Sequence, residues 1–249
     1  MRKKSYAKVN IFLKIVGTRG AYHELISRFI RVENLYDTIS FQPKEKDDKE
    51  FELIGNFGCE KKKNTIYKAY KLLPKTDFFH THKIVVEKNI PEFAGLGGGS
   101  SNAATFLTLT NEVLKLGFSK EKLATLGAKI GADVPFFIHE FKSANVSGIG
   151  EIVKEFDEEI LDIKTVTPKI ECDTAKVYQK FRSSYIDEID VDFAKELSTL
   201  SSKEILNNYK AQELNDLLLP CLDIYEELKN YNKPDWFFSG SGSTFFKHG

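Results

Sequence analysis

Residues 95–102 read Gly-Leu-Gly-Gly-Gly-Ser-Ser-Asn, so four of the five positions from 95 to 99 are glycine. An ordered glycine gives up ~0.5–1 kcal/mol more backbone entropy than alanine. A run of them therefore persists where the chain must turn left-handed or let another group close to its backbone. Two serines and an apolar helical pattern reaching Leu116 follow directly. The unpaired amides at the start of that helix, with the positive end of its dipole, make an anion site. Successive glycine amides add a concave cradle for phosphate. The plain alternative is a flexible turn that binds nothing. The run lacks the Gly-Lys-Ser/Thr ending of a P-loop and the glycine spacing of a dinucleotide fingerprint, and no His-Arg-Asp segment follows as in protein kinases.

Composition narrows the partners. The chain has 249 residues, enough for one large domain or two small ones. Hydrophobic residues at 41% and charged residues at 29% support a real core and exclude a disordered or fibrous chain. Lys+Arg and Asp+Glu both number 36, so there is no basic excess of the kind that grips nucleic acid, and an anionic partner must be met by a local site. Cys59, Cys172 and Cys221 are far apart in the sequence, with neither metal-ligand spacing nor a disulfide framework, which fits a reducing compartment. The start, MRKKSYAKVNIFLKIVG, is basic and then apolar like a secretory leader. Lys8, Asn10 and Lys14 interrupt it and no small-residue cleavage site follows. No apolar run approaches the ~18–20 residues of a membrane span. The expectation is a mature cytoplasmic start, with no membrane or nucleic-acid partner.

Periodicity predicts a strand over 6–16, a turn at 18–21, a second strand ending near Arg31 and a third over 36–42. A solvated charged turn is expected at 43–50 and an exposed one at 60–63. A helix is expected over 65–73, stopped by Pro74, and a strand over 83–88. After the glycine run, Gly117 ends the long helix and Ser119 caps the next, which stops at Gly131. Residues 136–139 read as a short strand and 144–150 as a tight hairpin turn. The acidic 155–159 stretch reads as a boundary. Beyond it come a strand over 160–167, a helix over 175–182, two or three further helices to about 231 and a hairpin through 236–246. Pro220 is expected to kink or split its helix. The arrangement is two mixed α/β lobes, 1–156 and 157–249.

Pro91 to Ala104, PEFAGLGGGSSNAA, resembles the second motif of the GHMP kinases. Three further segments agree in order: AKVNIFLKIVG with YHEL resembles the first motif, LGAKIGADVPFFI the acidic segment, and FFSGSGSTFF the third motif. Within the superfamily, GLGGGSSNAAT is closest to the branch that acts on a cytidyl diphosphate sugar alcohol in non-mevalonate isoprenoid synthesis. The resemblance implies an α+β, two-lobed GHMP kinase fold, with a ribosomal-protein-S5-like N-terminal lobe (1–156) that binds ATP and a ferredoxin-like C-terminal lobe (157–249) that closes the substrate cleft. The chain ends soon after the third motif, which would leave the second lobe without its customary last elements. The implied reaction is ATP-dependent phosphorylation of the substrate's 2-hydroxyl, in a monomer or weak homodimer.

The resemblance assigns ATP to Pro91, Ala94, Gly95, Leu96, Gly97, Gly98, Gly99, Ser100 and Ser101, with Asn64 and Lys88. Mg²⁺ is expected with ATP because it neutralises phosphate oxygens. Ser100 or Ser101 could reach it, and no metal carboxylate set is legible. Asp133, between Gly131 and Pro135, reads on its own as a turn or N-cap aspartate. Lys8, on the polar face of the first strand beside Asn10, reads as a solvated lysine. The resemblance makes these two the catalytic pair: Lys8 holds Asp133 ionised, and both act on the substrate hydroxyl. An adjacent Tyr22-His23 is otherwise a half-buried strand-edge pair. In the resembled enzymes the tyrosine stacks on cytosine and the histidine bonds its edge. Thr174 and Tyr178 sit at the spacing of the second aromatic, and Phe29 could line the same pocket. Asn10 joins this substrate set.

Three positions depart from the family pattern. Gly20-Ala21 stands where Asp-Gly is usual, Ala94 replaces a glycine, and Tyr178 stands where phenylalanine is common. Two other readings remain. A homoserine- or mevalonate-type kinase is disfavoured by Tyr22, His23 and Tyr178. A catalytically silent nucleotide-binding module is disfavoured by Lys8 with Asp133.

Overall fold

A computed structural model describes residues 1–46 and 50–249. The middle of the charged turn expected at 43–50 lies outside the described residues. The chain forms two compact units that interleave along the sequence. The first comprises Met1–Ala7, Leu35–Ile90 and Gly98–Glu140, and the second Lys8–Asn34, Pro91–Gly97 and Phe141–Gly249.

Strands β1 (Arg2–Arg19) and β2 (Tyr22–Pro43) pair with each other, and each contributes residues to both units. β2 corrects the expectation of two separate strands. Ser27 and Arg28 are fully buried within it, so the period-2 alternation is lost. Pairing, which local sequence does not display, carries the strand through its polar middle. Residues Leu25–Ile30 pair antiparallel with β5 (Ser143–Gly148), and Thr38–Pro43 pair antiparallel with β4 (His82–Glu87).

In the first unit, β3 (Leu53–Ile54) runs parallel to β4. The helices are α1 (Thr65–Leu72), α2 (Phe78–Thr81), α3 (Gly98–Val113), α4 (Lys120–Ala128) and α5 (Val134–His139). Asn64 caps α1 by accepting from the Ile66 amide, and Ser119 caps α4 by accepting from Lys122. Phe41, Phe51, Phe79 and Phe106 meet edge-on with Ile39, Ile66, Ile84 and Val134 in the core. α3 is buried along Ser101–Thr110, and the hydroxyls of Thr108 and Thr110 bond carbonyls of their own helix at 3.1 and 2.7 Å. It stops short of the expected Leu116: Lys115 and Gly117 adopt positive φ, and Asn111 exchanges two bonds with the Phe118 backbone.

The segment 136–139 is helical, not the expected strand. A short run such as Phe-Phe-Ile suits either state. Pro135 in the first turn starts the helix, and Glu140 at φ 62 closes it. A side chain at Gly127 of α4 would reach within 2.6 Å of Val134, so glycine there lets α5 pack against α4.

The second unit pairs β5 with β6 (Ile152–Glu155) in a hairpin; residues 144–148, expected as part of its turn, are strand, because their pairing with β2 and β6 overrides the local turn composition. A separate sheet has the order β7 (Ile163–Val166), β9 (Phe245–His248), β8 (Phe237–Phe238). The helices are α6 (Thr174–Ser184), α7 (Val191–Thr199), α8 (Ser202–Asn208), α9 (Ala211–Leu214) and α10 (Leu218–Ile224). The break between α9 and α10 comes before Pro220, not at it. Asn215 interrupts the chain: its amide nitrogen donates to the carbonyls of Phe238 and Gly240, and its side-chain oxygen accepts from Leu217. Pro220 sits in the first turn of α10, where a missing N–H costs no helical bond. The acidic stretch 155–159 is not wholly at the surface, because Glu158 is buried against Arg28. Cys172 and Cys221 form no disulfide; Cys221 donates to Cys172 across 3.6 Å. Among the described residues no helix is long and apolar enough to cross a membrane.

Candidate active site

The glycine run is where the chain passes from the second unit to the first, between Gly97 and Gly98. Gly95 and Gly97 hold φ of +73° and +69°, a region closed to most side chains. In the second unit, a Cβ on Gly95 would lie 2.1 Å from the Ser239 carbonyl oxygen. Ser239 donates to the Gly95 carbonyl at 3.0 Å, and Thr244 N–H donates to Ala94 at 3.2 Å. The loop 239–244 thus seats the first half of the glycine run. Gly95→Ala should cost about 1–3 kcal/mol through overpacking. A urea midpoint equal to wild type would show that these two backbones do not meet.

Lys8 and Asn10 share one face of β1, as i and i+2 must. The Lys8 ammonium is buried, donates to Asn10 Oδ1 at 2.6 Å and lies 4.5 Å from the centroid of Phe29. Asn10 in turn donates to Ser27 Oγ at 3.0 Å, and its amide donates to Ser239 Oγ at 3.3 Å. The Lys8 amide donates to the Leu96 carbonyl at 3.0 Å. Lys8 is not the solvated lysine that its strand position alone suggests, because both faces of the strand are covered.

His23 and Tyr178 come together with ring centroids 5.2 Å apart and planes tilted by 30°. Phe181 meets His23 edge-on at 5.8 Å. His23 is only 7% exposed, and its Nε2 is buried without a hydrogen-bond partner among the described residues. Burial lowers its pKa, and the charge of Arg182 lowers it further, so the ring is neutral at pH 7. Tyr22 is 64% exposed. Thr174, in the first turn of α6, bonds Ser241 of the 239–244 loop at 2.8 Å.

In the first unit, α3 begins at Gly98, and its opening amides precede any intrahelical acceptor. Thr65 Oγ donates to the Gly99 carbonyl at 2.7 Å. Ser101 is buried and accepts from Ser5 at 2.8 Å, which turns it inward and leaves half-buried Ser100 as the open hydroxyl. A Cβ on Gly131 would come 3.6 Å from Ser100 Oγ, so the turn leading to Asp133 lies against the start of α3. Asp133 occupies the N-cap position of α5 yet makes no capping bond. The Asn64 side chain is used as a cap, and Lys88 pairs with Asp37 at 2.5 Å.

Sequence reasoning missed Ser239, Gly240, Arg182 and Asp37. The Gly-Ser alternation of 239–243 was a usable signal. Arg182, which donates to the carbonyls of Gly20 and Tyr22 at 3.1 and 3.5 Å, carries none.

Residues 64–141 match the family model described as GHMP kinases N terminal domain, which places the chain among the small-molecule kinases. The chain is 52% identical to a 4-diphosphocytidyl-2-C-methyl-D-erythritol kinase of Sulfurimonas denitrificans over 98% of this chain and 95% of the relative. It is 46% identical to one from Campylobacter jejuni, with 98% of each covered. A crystal structure of 4-(cytidine 5'-diphospho)-2C-methyl-D-erythritol kinase superposes with a TM-score of 0.77 at 28% identity, covering 99% of this chain and 89% of that one. A mevalonate kinase structure shares the fold at a TM-score of 0.62 and 14% identity, with 100% of this chain and 91% of that one covered. The chain belongs to the 4-diphosphocytidyl-2-C-methyl-D-erythritol kinase family of the GHMP kinases.

Proposed function

We propose that this chain transfers the γ-phosphoryl group of ATP to the 2-hydroxyl of 4-diphosphocytidyl-2-C-methyl-D-erythritol, releasing ADP, in isoprenoid precursor synthesis. The observation that carries this reading is the partnerless buried Nε2 of His23, held neutral between Tyr178 and Phe181. An unpaired buried polar atom costs about 1–3 kcal/mol, and a cytosine edge would supply the missing bond. Tyr178 and exposed Tyr22 offer the stacking faces, with Asn10, Phe29 and Thr174 completing the substrate set. Residues 1–156 carry the ATP segments, and residues 157–249 add Thr174 and Tyr178.

Lys8 and Asp133 are assigned to the hydroxyl: the aspartate orients it and receives its proton, and the ammonium offsets the developing alkoxide. The glycine run, with Asn64 and Lys88, takes the nucleotide. The positive φ of Gly95 and Gly97 and the opening amides of α3 suit a polyphosphate. Mg²⁺ would enter on the phosphates, neutralising their oxygens, with Ser100 as a hydroxyl ligand. The reading includes a cytoplasmic enzyme, a monomer or weak homodimer that works on a small molecule without a membrane partner, and the balanced charge speaks against a nucleic-acid partner.

The test is ADP release with the cytidyl substrate against homoserine and mevalonate. Activity on either of the latter, or none on the first, overturns the reading. Tyr178→Ala should weaken the cytidyl substrate by ~1–3 kcal/mol, one to two decades in KM. His23→Ala should instead erode the choice between cytidyl and uridyl analogues. KM for ATP should stay near wild type in both. Because neutral His23 does the reading and its pKa is lowered, KM for the cytidyl substrate should be flat down to the ordinary histidine value of 6.5. It should rise only at lower pH, as the ring takes a proton. A rise centred above that value would contradict the buried neutral ring.

A further inference from the structure

Asp37 is completely buried near the end of β2, and no step assigned above uses it. Its carboxylate accepts four hydrogen bonds. Oδ2 takes the Lys88 ammonium at 2.5 Å and Asn102 Nδ2 at 2.8 Å, and Oδ1 takes the amides of Asn89 and Ile90 at 2.7 and 2.8 Å. Asn102 Oδ1 accepts a second Lys88 proton at 3.3 Å, and its amide also donates to Ser5 Oγ at 2.9 Å. The hydroxyl of Ser5 then reaches Ser101, so the network runs into the first turn of α3. The Lys88 side chain is only 10% exposed, and its ammonium lies 3.6 Å from where a Cβ on Gly98 would stand.

Two physical points make this arrangement unusual for a mere structural pair. A cation beside a helix N-terminus faces the positive end of the dipole, so it is repelled there and belongs by charge at the other end of the helix. A buried pair also gives up hydration that its mutual attraction only about repays. Both costs fall when an anion arrives at the same place, because a phosphate is attracted by the ammonium and by the helix amides together. An ammonium has three protons, and the network uses two.

We propose that Asp37 is a positioning residue for the nucleotide: it holds the Lys88 ammonium beside Gly98, with one proton left to meet a phosphate of ATP. This inference rests on the reading of the glycine run as the ATP site. Asp37 does not touch the nucleotide. It acts through Lys88.

The test is steady-state kinetics on the whole chain with Asp37→Asn, Lys88→Met and the double variant. Asp37→Asn should raise KM for ATP about tenfold, the size of one charge-assisted hydrogen bond, with KM for the cytidyl substrate within about twofold. Lys88→Met should raise KM for ATP at least as much, and the double variant should be no worse than Lys88→Met alone. An unchanged KM for ATP in Asp37→Asn overturns the proposal, as does an equal further rise in the Lys88→Met background. Should Asp37→Asn fail to fold, as read by its melting curve, Asn102→Ala loosens the ammonium while leaving Asp37 on the 89–90 amides. It should raise KM for ATP about threefold, and only when Lys88 is present; no change overturns the proposal. Failure of the ATP reading itself would look different: no variant, Lys88→Met included, would alter nucleotide affinity by calorimetry.

Discussion

Asp133→Asn should lower kcat by ~10²–10⁴ while leaving KM for ATP within a few-fold. The amide has the shape of the carboxylate but can neither take a proton nor carry charge at neutral pH. The loss should appear in turnover and little in stability, because Pro135 and the packing of Val134 at Gly127 set the start of α5. The melting temperature should therefore move little. Near-normal turnover would remove Asp133 from the reaction, and a collapse in stability would make it a structural aspartate.

The second large effect concerns stability. Glu158→Ala should cost about 3–5 kcal/mol, because it leaves a buried guanidinium unpaired. The Arg28 side chain is 0% exposed and Glu158 only 4%. Glu158 also accepts the Ser202 amide at 2.6 Å, the Ser202 hydroxyl at 2.7 Å and the Ser143 hydroxyl at 2.5 Å. Arg28 reaches Asn145 at 2.6 Å and the Ser198 and Leu200 carbonyls at 3.0 and 3.2 Å, over the face of Phe156 at 3.4 Å. The whole cluster lies in the second unit and ties β2 and β5 to the start of α8. Burial lowers the pKa of Arg28, with Glu158 acting against that shift. The double variant Arg28→Met, Glu158→Leu should recover much of the loss, since an apolar pair leaves no charge in the core. Urea midpoints of the two variants and the wild type decide the matter: a loss under about 1 kcal/mol in Glu158→Ala would mean that water solvates the arginine.

The same cluster shows where local reading stops. The run EFDEE has the composition of a solvated boundary, and nothing within it marks Glu158 as buried, because its partner is 130 residues away. Asp37 and Lys88 are 51 residues apart, and nothing local marks them as a buried pair. The helix over 134–139 was misread for a different reason: an apolar run of four residues has no resolvable period, and the tertiary contact at Gly127 favours the helix.

Features whose causes are local were legible in the sequence. The glycine run and its helix, the cap at Ser119 and the stop at Pro74 follow from backbone freedom, orphan amides and ring constraint within a few residues. Motif order also carried the kinase family. Tertiary structure alone decided that Lys8 is buried over Phe29, that His23 packs on Tyr178 with an unpaired nitrogen, and that Ser239 seats Gly95. Each depends on which distant segment covers a side chain. Burial of that kind, not residue type, decides whether a lysine is solvated, a histidine neutral or an aspartate held ready beneath a phosphate loop.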